Sequence, residues 1–202
     1  MPSAFAADPG RYALSVTVGS VSAMSKTQYF VASTVNGLIA DPDDRLDWLF
    51  QFNDLPGLGE HYTSFFENVG AVAMGRTTYE FILAEEEGWP YPDVPTWVFT
   101  HREAPVRDGA DVRLTAAGVA EVHAEMAEAA GDKNIWLVGG GGLVADFARH
   151  DLLDEIWLGI APVLLDAGAP VLPIRIDKPM RLAEVTRFGD SGFVELRYEI
   201  ER

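Results

Sequence analysis

No cysteine occurs among the 202 residues. That absence removes disulfides and every thiolate metal site, and with them a zinc nucleoside deaminase, whose metal needs cysteine ligands. It also argues against the framework of a small secreted domain, so a cytoplasmic location is expected. Basic residues are scarce: 15 Lys and Arg stand against 31 Asp and Glu, a formal net charge of −16. A field of that sign repels polyanions, so neither nucleic acid nor an anionic membrane is an expected partner. Any phosphate ligand must be met locally, which makes each arginine beside a turn informative. Long apolar runs are also missing. The longest nearly apolar segment, Ile135 to Ala145, falls short of the roughly 18 residues of a membrane span. The four histidines, His61, His101, His123 and His150, show no paired ligand spacing, and no metal is expected. There is no internal repeat, and a chain of this length at 48% hydrophobic content suits one α/β domain with a sizeable core.

What the chain has in abundance is glycine in one place. Ile135-Trp136-Leu137-Val138 runs into four consecutive glycines, Gly139 to Gly142, and then into Leu143. Four large apolar residues in a row fit a strand buried on both faces of a parallel sheet. Glycines let the backbone take positive φ and let a ligand approach its N–H groups. The following residues have helical composition, with Leu143, Phe147 and His150 expected on one side. Strand, glycine turn and helix N-terminus together make a phosphate site. A Rossmann fingerprint fits less well: Val144 stands where its last glycine belongs, and the motif comes late in the chain.

Two further strands end in anion-binding chemistry. Ala71 to Met74 leads into Gly75-Arg76-Thr77-Thr78 and a helix from Tyr79, which offers backbone N–H groups, two hydroxyls and a guanidinium. The simpler reading of that turn is a threonine N-cap beside an exposed arginine. Thr96 to Phe99 ends in Thr100-His101-Arg102. Ligands of open α/β sheets bind beyond the carboxyl ends of the strands, so the three turns describe one crevice.

Elsewhere the periodicities are plain. Tyr29 to Val35 and Leu38 to Ala40 flank Asn36-Gly37, a hairpin signal. Tyr62, Phe65, Phe66 and Val69 recur at helical spacing, as do Val119, Val122, Met126 and Ala130. Glu85 to Glu87 reads as a solvated helix end, and Leu153 to Ala161 as a strand. Val194, Leu196, Tyr198 and Ile200 alternate with Glu195, Arg197, Glu199 and Glu201, which predicts a half-exposed strand paired with Arg181 to Phe188. Residues 1–25, rich in Ala, Ser and Gly, are expected to form a loosely docked extension, with Met24 a candidate natural start and 26–202 the folded domain.

The segments YFVASTVNGLIA (29–40), AMGRTTYE (73–80), WVFTHR (97–102), the glycine run and DEIWLGIAPVLLDAGAPVLP (154–173) together resemble the dihydrofolate reductase superfamily. The branch they resemble most is the C-terminal reductase domain of the bacterial bifunctional riboflavin-biosynthesis deaminase-reductase. The resemblance implies a three-layer α/β fold: a central mixed, mostly parallel sheet flanked by helices, with a C-terminal antiparallel hairpin. It implies NADPH as cofactor, with Ala32, Asn36, Ile39 and Ala40 on the nicotinamide side. Gly75, Arg76, Thr77 and Thr78 would meet phosphates, and Thr100, His101 and Arg102 the adenosine 2′-phosphate. Val138, Gly139, Gly140, Gly141, Gly142 and Leu143 would take the pyrophosphate. It further implies a homodimer, with the sheet edge or the 153–173 segment as its seam. Asn36 stands where the branch carries an aspartate, and Asp47, with Asp54 as the other candidate, is the expected proton donor by analogy with the acid of the reductases' first helix. A stand-alone NADPH-dependent reductase of a small polar, pterin- or pyrimidine-like substrate is therefore the expectation. A non-catalytic NADP(H)-binding regulator and a purely structural dimerising domain are its alternatives.

Overall fold

The computed structural model describes residues 25–85 and 88–201. The expected N-terminal extension, Ser25 apart, and the last two residues of the acidic run lie outside the described residues. The elements in order are β1 (Thr27–Thr34), β2 (Leu38–Ala40), α1 (Asp47–Phe50), α2 (Leu58–Phe66), β3 (Val69–Gly75), α3 (Arg76–Glu85), β4 (Thr96–Phe99), β5 (Val112–Thr115), α4 (Val119–Ala130), β6 (Asn134–Gly139), α5 (Gly141–Arg149), β7 (Glu155–Ala161), β8 (Ala169–Pro170), β9 (Arg181–Arg187) and β10 (Val194–Glu199).

Eight strands form one sheet in the order β5-β4-β3-β6-β1-β7-β10-β9. The pairings from β5 through β7 are parallel, while β10 runs antiparallel to both β7 and β9. This is the expected mixed sheet with its terminal hairpin. The apolar run of β6 lies at its centre because both faces there are covered. Ile135 and Leu137 point to the layer of α4 and α5, and Trp136 to that of α2 and α3. Removing each of these side chains from water contributes about 1.5–3 kcal/mol. Helix α4 buries Val119, Val122, Met126 and Ala130, the stripe read from the sequence.

Three local expectations need correction. The Asn36-Gly37 turn forms, with the Gly37 N–H donating to Thr34 O at 2.9 Å, but Leu38–Ala40 does not fold back on β1. Both edges of β1 are already taken by β6 and β7, so β2 pairs antiparallel with Ala169–Pro170 instead. Helix α3 starts at Arg76 instead of Tyr79, which turns Arg76-Thr77-Thr78 into a first helical turn. Helix α5 buries Gly141, Val144, Ala145 and Phe147, while His150 is its exposed C-cap; the inward stripe is rotated from Leu143–Phe147–His150.

Gly141 fixes how closely these pieces meet. A Cβ there would lie 2.5 Å from Pro170 O and 2.6 Å from Val171 O, so helix α5 begins pressed against the backbone after β8. Tyr29, fully buried in β1, ties down the same segment by donating from its hydroxyl to Val171 O at 3.0 Å. Because the obstacle at Gly141 is main chain, no rotamer relieves it. Gly141→Ala is expected to destabilise by about 2 kcal/mol, a fall in Tm of about 4–8 °C for a domain of this size, measured by thermal unfolding.

Candidate functional site

Beyond the carboxyl ends of β1 and β6 the sheet opens into a cavity of about 720 Å³. Its floor is Ala32, Val138 and Gly159 of three neighbouring strands, and Gly139 to Gly142 form one wall. Opposite stand Leu46, Leu49, Phe52, Leu58 and Tyr62 from α1, α2 and their connection. Phe81, Tyr91, Trp136 and Phe193 add aromatic faces, so the interior is largely apolar with few polar groups. The 41–62 segment contributes much of the lining because α1 and α2 cover only part of the sheet face, leaving the strand ends open below them.

The glycine turn has the geometry of an anion cradle. Gly139 takes φ +141°, a conformation that side chains disfavour, and Gly140 is the extended N-cap of α5. Leu143 and Val144 already donate to Gly140 O, at 3.0 and 3.3 Å. The N–H groups of Gly141 and Gly142 begin the helix with no carbonyl of an earlier turn to accept them. A Cβ on Gly142 would meet nothing within 4 Å, whereas one on Gly139 would lie 3.7 Å from the Thr78 hydroxyl.

The cavity brings together Ala32, Ile39, Ala40, Thr77, Thr78, Val138 and Gly139 to Gly142. Gly75 stands just behind: its Cβ position is 3.8 Å from Gly139 O and Gly140 N. Leu143 is half-buried one residue beyond the turn and is not part of the lining. Arg76 does not line the cavity either. Its guanidinium pairs with Glu80 at 2.6 Å and donates to Glu103 O at 3.0 Å, which ties the loop after β4 to α3. Thr100 turns its hydroxyl onto the Arg102 backbone, and His101 and Arg102 are exposed after β4, with β3 between that strand and β6.

Asn36 is employed elsewhere. Its Nδ2 donates to Leu165 O at 2.7 Å, and its Oδ1 accepts from the Thr34 hydroxyl at 2.8 Å and the Leu165 N–H at 3.3 Å. The amide clamps the β1–β2 turn to the loop after β7, outside the cavity. A carboxylate could not make the donating contact, which accounts for the amide where an acid was looked for. Asp47 is also outside the cavity: its carboxylate is 63% exposed and paired with Arg45 at 2.8 Å. It faces solvent because α1 is a single turn whose Trp48 and Leu49 take the inner side.

A buried acid that does reach the cavity is Glu195, which alternation along β10 assigned to the solvent side. Glu195 is 5% exposed, and its Oε1 lies 2.8 Å from His61 Nε2. Ala32, Gly159 and Glu195 stand in one cross-strand row, so all three face the same layer. Burial pushes the Glu195 carboxyl above the usual carboxylate range, and the nearby Glu184 adds to this; His61 and Arg197 pull it part of the way back. No local sequence signal marks this residue, because its partner is 134 residues away.

A second buried acid, Glu155, lies at the opposite ends of the strands. Burial alone would raise its pKa, but donors from Lys26 at 2.5 Å, Gln28 at 2.7 Å and Trp157 at 2.9 Å outweigh this and hold it below the ordinary value. Among the described residues no cluster of three or more His, Asp and Glu could hold a metal ion, and no helix is long and apolar enough to cross a membrane.

Exchange of the Asn36 amide for a carboxylate tests the clamp. Asn36→Asp replaces the contact to Leu165 O with two opposed acceptors and is expected to lower unfolding free energy by about 1 kcal/mol in denaturant titration. Retention of full stability would show that the clamp contributes nothing.

Comparison with known proteins accords with this geometry. The family model described as RibD C-terminal domain matches residues 89–192. Protein YwjB of Bacillus subtilis (strain 168) is 33% identical over 175 residues, spanning 86% of this chain and 97% of its own length. YyaP of the same organism is 26% identical over 181 residues, 83% of this chain and 91% of its own. A solved Shewanella sp. PV-4 protein, assigned by its name to riboflavin biosynthesis, superposes with TM-score 0.74 at 25% identity, over 88% of this chain and 99% of its own. The Thermotoga maritima diaminohydroxyphosphoribosylaminopyrimidine deaminase/5-amino-6-(5-phosphoribosylamino)uracil reductase gives TM-score 0.60 at 16% identity, over 87% of this chain and 56% of the longer protein. At that identity the likeness speaks of the fold alone. With a family model over half of its length and a relative of 33% identity along nearly all of that relative, the chain belongs to the RibD C-terminal domain family, on the dihydrofolate reductase-like fold.

Proposed function

We propose that residues 26–202 form an NADPH-dependent reductase domain acting on a small, flat, polar substrate of the pterin or pyrimidine kind. The observation that carries this reading is the continuity of one cavity. The same 720 Å³ space is bounded by the glycine turn at the start of α5 and by the Ala32–Ile39–Ala40 wall under an aromatic roof. An anion cradle joined to a flat apolar slot suits a nicotinamide dinucleotide, and the residues present fit that group.

In this reading the N–H groups of Gly141 and Gly142, with the Thr77 and Thr78 hydroxyls, hold the pyrophosphate. Ala32, Ile39 and Ala40 flank the nicotinamide, and Arg102 and His101 after β4 meet the adenosine 2′-phosphate. The bound cofactor would supply hydride, while the protein orients it against the substrate and keeps water out. Among the described residues no lysine or arginine lines the cavity, so the backbone carries the anion recognition and Arg102 adds selectivity. A substrate heterocycle would lie between the nicotinamide wall and Leu49, Phe52 and Tyr62. The same reading carries a homodimer, for which edge strand β9, with Leu182 and Val185 exposed, offers the seam.

Two substitutions test the cradle without disturbing the fold. Gly142 has open space at its Cβ position and sits in the first turn of α5, where an acid favours the helix. Gly142→Asp is therefore expected to keep or raise Tm while weakening NADPH binding at least about tenfold, read by fluorescence titration. Arg102→Ala is expected to reduce the preference for NADPH over NADH by about tenfold, leaving NADH affinity unchanged. An unaltered NADPH affinity in Gly142→Asp would remove the glycine turn from the site. Loss of NADPH absorbance with a panel of dihydropterins and aminopyrimidines separates a reductase from a nucleotide sensor, which would bind without turnover.

A further inference from the structure

The pair formed by Glu195 and His61 joins two cavities. Glu195 lines the 720 Å³ cavity, whereas His61 lines a second one of about 500 Å³ together with Lys26, Gln28, Glu155, Glu184 and Arg197. The His61 side chain is 21% exposed and that of Glu195 6%, so the imidazole is the solvent-side member. Packing fixes both groups. His61 sits edge-on to Phe188 at 5.5 Å and tilted against Trp157 at 6.0 Å and Phe30 at 6.3 Å. Glu195 is held in the row of Gly159 and Ala32, beside the proposed nicotinamide wall.

We propose that Glu195 is the catalytic acid of this chain and that His61 is the positioning residue that returns its proton from the second cavity. This rests on the reductase reading above. A nicotinamide bound along Ala32, Ile39 and Ala40 would supply hydride to the carbon of a C=N or C=O bond and would be left oxidised, the π pair of that bond moving to the heteroatom. The Glu195 O–H gives that heteroatom its proton, so the substrate gains one hydride and one proton, two electrons in all. The carboxylate then takes a proton across the 2.8 Å contact from protonated His61, and His61 takes one from solvent through the second cavity.

The surroundings favour the protonated form of the carboxyl. The groups facing Glu195 are His61 from α2, Glu184 from β9 and Arg197 from β10. Arg197 is itself drawn toward Glu184 at 3.3 Å and lies over the Trp157 ring at 5.0 Å. Burial is the largest influence, and it favours the neutral carboxyl. Asp44, the other carboxylate on the cavity lining, is exposed.

The test compares wild type, Glu195→Gln and His61→Gln by three readouts. In the ligand-free protein, the infrared carbonyl stretch of a protonated carboxyl should persist above the ordinary glutamate range, vanish in Glu195→Gln and titrate at a different pH in His61→Gln. Saturating NADPH should shift that band in wild type and bind Glu195→Gln within about twofold of the wild-type Kd, a difference under about 0.4 kcal/mol. With an acceptor found in the substrate panel, Glu195→Gln should lower kcat by about 10²-fold or more and lose the alkaline fall in rate, the loss expected when a positioned acid is removed. A carboxyl already ionised at pH 5, no band shift with NADPH, or a kcat within tenfold of wild type would each overturn the assignment. Absence of NADPH binding by the wild type would instead overturn the reductase reading, and the ligand-free titration would still decide whether Glu195 carries the proton.

Discussion

Helix α5 can begin where it does only because Gly141 has no side chain. The carbonyls of Pro170 and Val171 occupy the space a Cβ would need, at 2.5 and 2.6 Å. That close approach seats the glycine turn against the segment that also carries β8, and β8 in turn holds β2. Gly168 makes a comparable approach on the other side, where a Cβ would collide with Ala40 O. The Ala32–Ile39–Ala40 wall and the glycine turn are thus positioned by backbone packed on backbone. A cavity bounded this way keeps its shape without large side chains inside it, which leaves the space for ligand.

Around this the sheet divides the labour. The α4 and α5 face is a continuous apolar core, while the α2 and α3 face is aromatic and incomplete at the strand ends. The opening occurs where short α1 and the loop after it replace a full helix. The candidate cavity therefore lies on the less covered face, beside strands whose both edges are paired.

Elements set by local periodicity were legible in the chain: β4 begins and ends where its apolar run does, and α4 buries the four residues its stripe marks. The glycine turn was legible for the same reason, since four glycines in one connection are costly unless the backbone must be approached. What could not be read was decided by distant partners. Leu38–Ala40 follows a hairpin turn, yet it pairs with distant Ala169–Pro170 because β1 has no free edge. Glu195 alternates as a solvent-facing residue should, yet it is buried because His61 and the cavity lie on that side. Asp47 follows the analogy with a first-helix acid, yet that helix is one turn long and presents the acid to Arg45. Asn36 replaces an expected carboxylate because the turn needs a donor as well as acceptors.

The central claim is that the start of α5 receives the anionic part of NADPH. Amide hydrogen exchange with and without saturating NADPH tests it directly, because the claim concerns backbone N–H groups. The account predicts slowed exchange in the peptide spanning Gly139 to Val144 and in that spanning Ala32 to Ala40, with no change in β9. Protection confined to other segments, or none at all at the glycine turn under saturation, would contradict it.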